Sequence, residues 1–249
     1  SIRTQGTLEK PYYLLEPRGL GKGSREKSFR LRLSPGSWER METYKELLEG
    51  NLRWLGDVKK ADPSFFEKLA QGQSPRFLWI GCSDSRVPAT EITGSMPGSI
   101  FVHRNIANLV IHSDVNLLSV IYYAVEYLKV RHIIVCGHSS CGGIEAAMSE
   151  NTFGFLDNWL NHIKDVYRYH KEELDKITDP LQRSDAMAMV NVRQQVYNLS
   201  KVSFIRQKWA NGEFPALHGW FYQIRDGMLK DLNVTVNSVD KSEELSLIE

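Results

Sequence analysis

The stretch "PRFLWIGCSDSRVPA", residues 75–89, places an apolar run directly before a cluster of reactive and charged side chains. A short apolar run that begins after a proline is typical of a strand buried on both faces of a parallel sheet. Cys82 follows this run, and Asp84 and Arg86 come next at alternate positions. The stretch therefore predicts a buried strand with chemically active residues at its carboxyl end.

A second stretch, "RHIIVCGHSSCGG" at residues 131–143, has the same layout. Its apolar run leads into His138 and Cys141, which are separated by two residues. In open parallel sheets, ligands bind beyond the carboxyl ends of the strands. If these two strands are neighbours, Cys82, His138 and Cys141 meet at one edge of the sheet.

The rest of the chain alternates strand and helix patterns. A third short strand is expected at 100–102, and two late strands in 214–224 and 229–239, with amphipathic helical segments between them. This alternation predicts an α/β fold with a mainly parallel central sheet flanked by helices. We expect one domain over residues 41–249. Residues 1–40, rich in Arg, Lys, Gly and Pro without a sustained period, are interpreted as an N-terminal extension or arm.

Composition excludes several classes of protein. The formal net charge of +1 gives no electrostatic case for nucleic-acid or membrane binding. No apolar run approaches the roughly 20 residues that span a bilayer, and no secretory signal is visible. Three cysteines are an odd, sparse set, which favours a soluble protein in a reducing intracellular compartment. The basic extension and the initial Ser suit a processed mitochondrial or plastid protein, and equally a fragment of a bacterial or algal one.

Two thiolates and one imidazole are ligands that zinc takes in tetrahedral sites, with an open position when the site is catalytic. Cys136 ends a buried strand, so we expect its side chain to alternate away and to pack as a small apolar group. The fourth position is then left to water or to Asp84, which Arg86 could hold through a bidentate pair. The alternatives are a solvated Asp–Arg pair worth about 0–1 kcal/mol and a metal-free cluster of core residues.

The segments "CSDSRVP", "HRNIANLV" and "CGHSSCGG", in this order and at these separations, resemble the β-class carbonic anhydrases, and the similarity covers roughly residues 40–235. The resemblance implies a zinc enzyme that reversibly hydrates carbon dioxide to bicarbonate and a proton through zinc-bound hydroxide. It gives Cys82, His138 and Cys141 the role of ligands to one Zn²⁺ per subunit. It gives Asp84 and Arg86 the role of a catalytic dyad.

The similarity is greatest to the bacterial-type branch, in which some members are inhibited by bicarbonate in a noncatalytic pocket. The pocket residues of those members correspond here to Trp79, Arg104 and Tyr222. The loop "TGSMPGS" at 93–99 lacks the Gln expected where this switch is missing. We therefore expect inhibition by bicarbonate and by low pH, with Asp84 moving onto the zinc. Backbone N–H groups at Gly142, where a helix begins, are a candidate contact for a bound anion or substrate.

The resemblance also implies a homodimer or a homotetramer, with the N-terminal helices packed on a neighbouring subunit. Two other functions are compatible with these motifs. One is a hydrolase of a carbon dioxide analogue such as carbon disulfide. The other is an anhydrase-fold subunit docked in a larger assembly through residues 1–40.

Overall fold

The computed structural model describes residues 13–15, 31–33 and 43–246. The chain divides into two compact units, residues 1–72 and 73–249. The single domain expected over 41–249 stays a prediction. The predicted arm lies almost wholly outside the described residues. Within its range the structure describes only β1 (Tyr13–Leu15) and β2 (Leu31–Leu33), which pair antiparallel.

The first unit also contains two helices, α1 (Tyr44–Ala61) and α2 (Phe65–Ala70). The chain turns between them at Asp62, whose N–H donates to the carbonyl of Val58 at 2.8 Å. One carboxylate oxygen of Asp62 then accepts from the backbone N–H of Ser64 at 3.0 Å. An Asx turn of this kind satisfies backbone groups that the end of one helix leaves open before the next helix begins.

The second unit is a five-stranded sheet with helices packed on it. Its strands are β3 (Phe77–Cys82), β4 (Ile100–Asn105), β5 (His132–His138), β6 (Ala216–Gln223) and β7 (Met228–Val236). Its helices are α3 (Ala89–Ile92), α4 (Val115–Glu126), α5 (Gly142–Met148), α6 (Asp157–Leu174), α7 (Pro180–Ser200), α8 (Ser203–Ala210) and α9 (Val239–Ser246).

The strand order is β4-β3-β5-β6-β7, and every pair is parallel except β6 with β7. The predicted α/β fold with a mainly parallel sheet is confirmed. The strand expected at 100–102 extends to Asn105 because its last residues pair with the end of β3. Among the described residues, none of the helices combines the length and the apolar character needed to cross a membrane.

Alternation along the central strands divides the core between the two faces of the sheet. Ile80 and Val135 belong to the larger cluster, together with residues of α4 and α7. Trp79 and Cys136 belong to a separate cluster, because successive side chains of a strand point to opposite faces. Cys136 is therefore packed as a small apolar group, as the sequence predicted.

Gly137 sets how closely α7 approaches the end of β5. A Cβ atom at Gly137 would lie 2.7 Å from Cγ2 of Val192, which is fully buried. Real Cβ atoms do not tolerate that distance, so the absence of a side chain lets α7 pack directly on the strand. The close approach occurs one residue before His138.

Replacing Gly137 with Ala should destabilise the protein by about 1–3 kcal/mol, because Val192 has no room to move in a packed core. Urea denaturation would measure the loss. The control is Gly142→Ala, because a Cβ at Gly142 meets no atom within 4 Å. Equal stabilities of the two variants would contradict this account of the packing.

Candidate metal centre

Three soft donor side chains meet at the carboxyl edge of the sheet. Cys82 ends β3 and His138 ends the neighbouring strand β5, while Cys141 stands immediately before α5. Their donor atoms all lie within 4.8 Å of one another, and the two sulfur atoms are 3.9 Å apart. The structure brings together the three residues that the sequence predicted as ligands.

All three side chains are buried, and the backbone carbonyl of the next residue, Ser139, fixes the orientation of the His138 ring. Nδ1 of His138 lies 2.9 Å from the carbonyl oxygen of Ser139, which can only accept, so Nδ1 carries the proton. Nε2 therefore presents its lone pair to the two sulfurs. Among the described residues, Nε2 is buried without a hydrogen-bond partner. A buried acceptor of this kind is costly unless another group, here a cation, satisfies it.

The electrostatics of the cluster favour a positive ion. The Cys141 thiol, with backbone N–H groups of Asp84 and Ala107, lowers the pKa of Cys82 to about 4. The same contact raises the pKa of Cys141, because its S–H donates to the Cys82 thiolate, and burial and the neighbouring negative charge oppose a second thiolate. Burial lowers the pKa of His138, but Cys82, the carbonyl of Ser139 and Asp84 together raise it, so the net shift is upward. A cation bound here would relieve the repulsion between the thiolates.

Two thiolates and one imidazole fit zinc by ligand type, and three protein ligands leave a position open for a small molecule. In the described part of the chain, this trio is the only cluster of three or more His, Cys, Asp or Glu side chains with metal-binding spacing. Cys136 is outside it. Burial raises the pKa of the Cys136 thiol, and its Sγ lies 3.3 Å from the carbonyl oxygen of Gly137.

Asp84 and Arg86 form a bidentate pair beside the three ligands. Arg86 Nε donates to Asp84 Oδ1 at 2.9 Å and Arg86 Nη2 donates to Oδ2 at 2.6 Å. These bonds lower the pKa of Asp84 to about 2, so the carboxylate stays ionised. Asp84 Oδ2 is 3.9 Å from His138 Nε2, which places an acceptor next to the metal-binding atoms. The structure thus brings Asp84 and Arg86 together, and their catalytic role stays a prediction.

The loop that follows His138 fixes Arg86 through residues that the sequence analysis missed. Arg86 Nη2 also donates to the carbonyl of Ser140 at 3.0 Å, and Ser140 has a left-handed backbone with φ of 52°. The N–H of Ser140 donates to Asp185 Oδ1 on α7 at 3.0 Å. Nothing in the sequence around Asp185 indicates this contact, because the two residues are 45 positions apart.

The three residues of the expected bicarbonate pocket are not placed alike. Trp79 and Tyr222 line a narrow cleft with Cys82, His138 and Cys136. Arg104 instead donates from Nε to the carbonyl of Cys82 at 2.7 Å, and from Nη2 to the carbonyl of Asp84. In this structure its guanidinium braces the turn that carries the ligand and the dyad.

Gly142 is the first residue of α5 and is exposed. A Cβ there would meet nothing within 4 Å, so its backbone is open to a small molecule. The contact with an anion or substrate stays a prediction.

Comparison with known proteins gives a consistent result. Residues 77–229 match a family model described as carbonic anhydrase. A carbonic anhydrase of Emericella nidulans is 49% identical over 193 residues, which cover 78% of this chain and 85% of that protein. A tetrameric β-carbonic anhydrase of the filamentous ascomycete Sordaria macrospora is 45% identical with a TM-score of 0.76, covering 79% of this chain and 100% of that one. A β-carbonic anhydrase of Coccomyxa, solved with acetazolamide, is 32% identical with a TM-score of 0.77, covering 82% and 92%.

Two cysteines in the same cleft provide a test of the ligand set. Cys82→Ala should abolish stoichiometric zinc, because two remaining ligands hold zinc poorly. Cys136→Ala should retain about one zinc per chain. Metal analysis of the purified variants after dialysis would decide. Loss of zinc from the Cys136 variant alone would contradict the assignment.

Proposed function

The chain belongs to the β-class carbonic anhydrases, and from that premise we propose that it is a zinc enzyme that interconverts carbon dioxide and bicarbonate at the Cys82, His138 and Cys141 site. The observation that carries this proposal is the meeting of those three buried donors with an arginine-held carboxylate. The overall reaction joins carbon dioxide and water to give bicarbonate and a proton. Zinc bound there would supply the Lewis acidity that ionises water near neutral pH.

Asp84 orients the attacking oxygen in this proposal. Its pKa of about 2 keeps it a pure acceptor at physiological pH, so it can hold an O–H group pointing away from the carbon dioxide. A lone pair of that oxygen is then directed at the carbon atom. The proton released in each turnover leaves to buffer, since an acid as strong as Asp84 would not retain it.

Arg86 keeps the Asp84 carboxylate in this orientation. Both carboxylate oxygens accept from the guanidinium, and the same Nη2 that bonds Oδ2 also donates to the carbonyl of Ser140. While these bonds last, Asp84 lies beside the metal-binding atoms without joining them. Breaking them would free the carboxylate to occupy the fourth position, which is the inhibited state that we propose for low pH and high bicarbonate.

The bicarbonate pocket is proposed to consist of Trp79, Arg104 and Tyr222. The position of Trp79 and Tyr222 in the cleft beside Cys82 and His138 supports it. For Arg104 to bind the anion, its guanidinium must leave the carbonyls of Cys82 and Asp84. Bicarbonate binding would then remove the hydrogen bonds of Arg104 to the turn that carries Asp84. The loss of these bonds would couple the pocket to the dyad.

We also propose a homodimer or homotetramer. The support is the tetrameric state of the Sordaria protein and the exposed apolar side chains of α1, which include Leu47, Leu48 and Leu52. Exposed apolar patches of this kind commonly mark surfaces that bind another protein chain.

Asp84→Asn tests the function directly. Loss of the charge that orients the attacking oxygen should lower the rate of carbon dioxide hydration by about 10²-fold at equal zinc content. Initial rates by stopped flow would measure it. Asp165→Asn is the matched control, because Asp165 is an exposed residue of α6.

Rates with carbon disulfide, measured beside those with carbon dioxide, separate the anhydrase from the analogue hydrolase. Turnover of carbon disulfide alone would move the assignment to a hydrolase. No turnover of either substrate by zinc-loaded protein would favour a docked subunit.

Arg104→Gln tests the switch. Losing a charged hydrogen bond to the anion should raise the inhibitory bicarbonate concentration about tenfold. The ratio of inhibited to uninhibited rate is the readout, because Arg104 also holds backbone carbonyls and its loss can lower the rate itself. The second variant is Trp79→Phe, which keeps an aromatic ring at this position and removes the N–H donor. Unchanged inhibition in both would remove the switch from the proposal.

A further inference from the structure

The segment that follows β4 carries a donor to one of the metal-binding sulfurs. The backbone N–H of Ala107 lies 3.4 Å from Cys82 Sγ. Ala107 has φ of 62° and Asn108 has φ of 50°, so two successive non-glycine residues adopt the left-handed region. Such residues are uncommon and persist only where the surroundings impose the conformation. Asn105 closes this turn from the end of β4 by bonding both backbone groups of Leu109, and a contact from outside the segment acts on Ala107 itself.

A row of amide side chains on α7 holds it. Asn191, Gln195 and Asn198 lie on one face of the helix at positions i, i+4 and i+7. Asn191 Nδ2 donates to the carbonyl of Ala107 at 3.1 Å. Gln195 Oε1 accepts from the N–H of Val110 at 2.8 Å, and Asn198 Nδ2 donates to the carbonyl of Val110 at 3.1 Å.

The row is itself linked. Gln195 Nε2 donates to Asn191 Oδ1 at 2.9 Å. The amide oxygen of Asn191 is therefore bonded to Gln195, while its nitrogen donates to Ala107. Asn191 is 1% exposed and Gln195 is 2% exposed. Buried amides destabilise a helix face unless they are paired, and an apolar residue would fill the space at lower cost. The contact of Asn191 with the segment therefore explains why an amide, and not an apolar side chain, occupies this position.

The two sulfurs lie in different local settings. Cys141 stands immediately before α5, and its side chain accepts no capping hydrogen bond from the first turn of that helix. Cys82 depends in part on Ala107, which is 25 positions away and reaches it only through the left-handed turn. The donor to Cys82 therefore needs a support outside its own strand, and Asn191 is the side chain that bonds the same residue.

We propose that Asn191 is a positioning residue for the Cys82 thiolate, acting through Ala107 to keep a hydrogen-bond donor on the sulfur. The proposal rests on the metal-binding role of Cys82 in the proposed function. An N–H donor withdraws electron density from a thiolate, which adjusts how strongly the sulfur binds a metal and how acidic that metal remains. Hydrogen bonds around a ligand commonly change metal affinity by about 10–100-fold.

The experiment compares the full chain with Asn191→Ala and Asn198→Ala. Asn198 is the matched control, because it is an amide of the same row that donates to Val110 and to Gln195 but makes no bond to Ala107. Zinc affinity is measured by competition with a chelator. The thiolate-to-metal charge-transfer absorption is recorded after substitution with Co²⁺, and stability is measured by urea denaturation of the metal-free proteins.

Asn191→Ala should weaken zinc binding about tenfold, because the Cys82 sulfur loses the contact that orients it and becomes more basic, so protons compete better with the metal. The charge-transfer band should move to longer wavelength, because a sulfur without its donor gives up electron density more easily. Asn198→Ala should lower stability without moving either readout. If Asn191→Ala does not fold, Asn191→Asp replaces it, since it keeps the acceptor for Gln195 and removes the donor to Ala107.

Two results would overturn the inference. One is wild-type affinity and spectrum in the Asn191 variant. The other is an equal change in both variants, which would reduce Asn191 to a structural role. A wild-type chain that binds neither zinc nor Co²⁺ would overturn the proposed function together with this inference.

Discussion

Parallel pairing of β3 with β5 is the constraint on which the whole site depends. Ile80 lies opposite Val135 and Gly81 lies opposite Cys136, so both strands end at the same level. Cys82 and His138 then emerge side by side at one edge. A slip of one residue would turn the side chains to the other face of the sheet and separate the donors.

Solvent exposure rises across this edge of the sheet, from the metal-binding side chains to the charged pair. The sulfurs and the imidazole are buried, Asp84 is 17% exposed, and Arg86 is 49% exposed. A metal-binding set therefore lies on the protein side and a charged pair on the solvent side, and the proposed substrate position is between them. Backbone groups contribute as much as side chains, since the carbonyls of Ser140 and Cys82 hold the two arginines that border the site.

Local patterns in the sequence predicted much of this arrangement. Apolar runs followed by Cys82 and His138 predicted the strands and the edge at which ligands meet, because strand ends and ligand chemistry are both encoded locally. The unit boundary near residue 72 was not predicted, since α1 and α2 have the ordinary pattern of any amphipathic helix. Asp185 and Asn191 were missed for another reason. Each acts on a backbone group far away in the chain, so its role exists only once α7 has packed on the sheet.

Because the ligands are far apart along the chain, the metal-binding site depends on the completed fold. Cys82 and Cys141 are 59 positions apart, and only the completed pairing of β3 and β5 brings them together. The apolar cluster around Ile80 and Val135 contains none of the three ligands, whereas a second cluster contains Cys82 and Cys141. In small zinc domains the metal and the fold form as one event. Here one face of the sheet has a core that needs no ligand side chain, so we expect the metal-free chain to fold and to bind its metal afterwards.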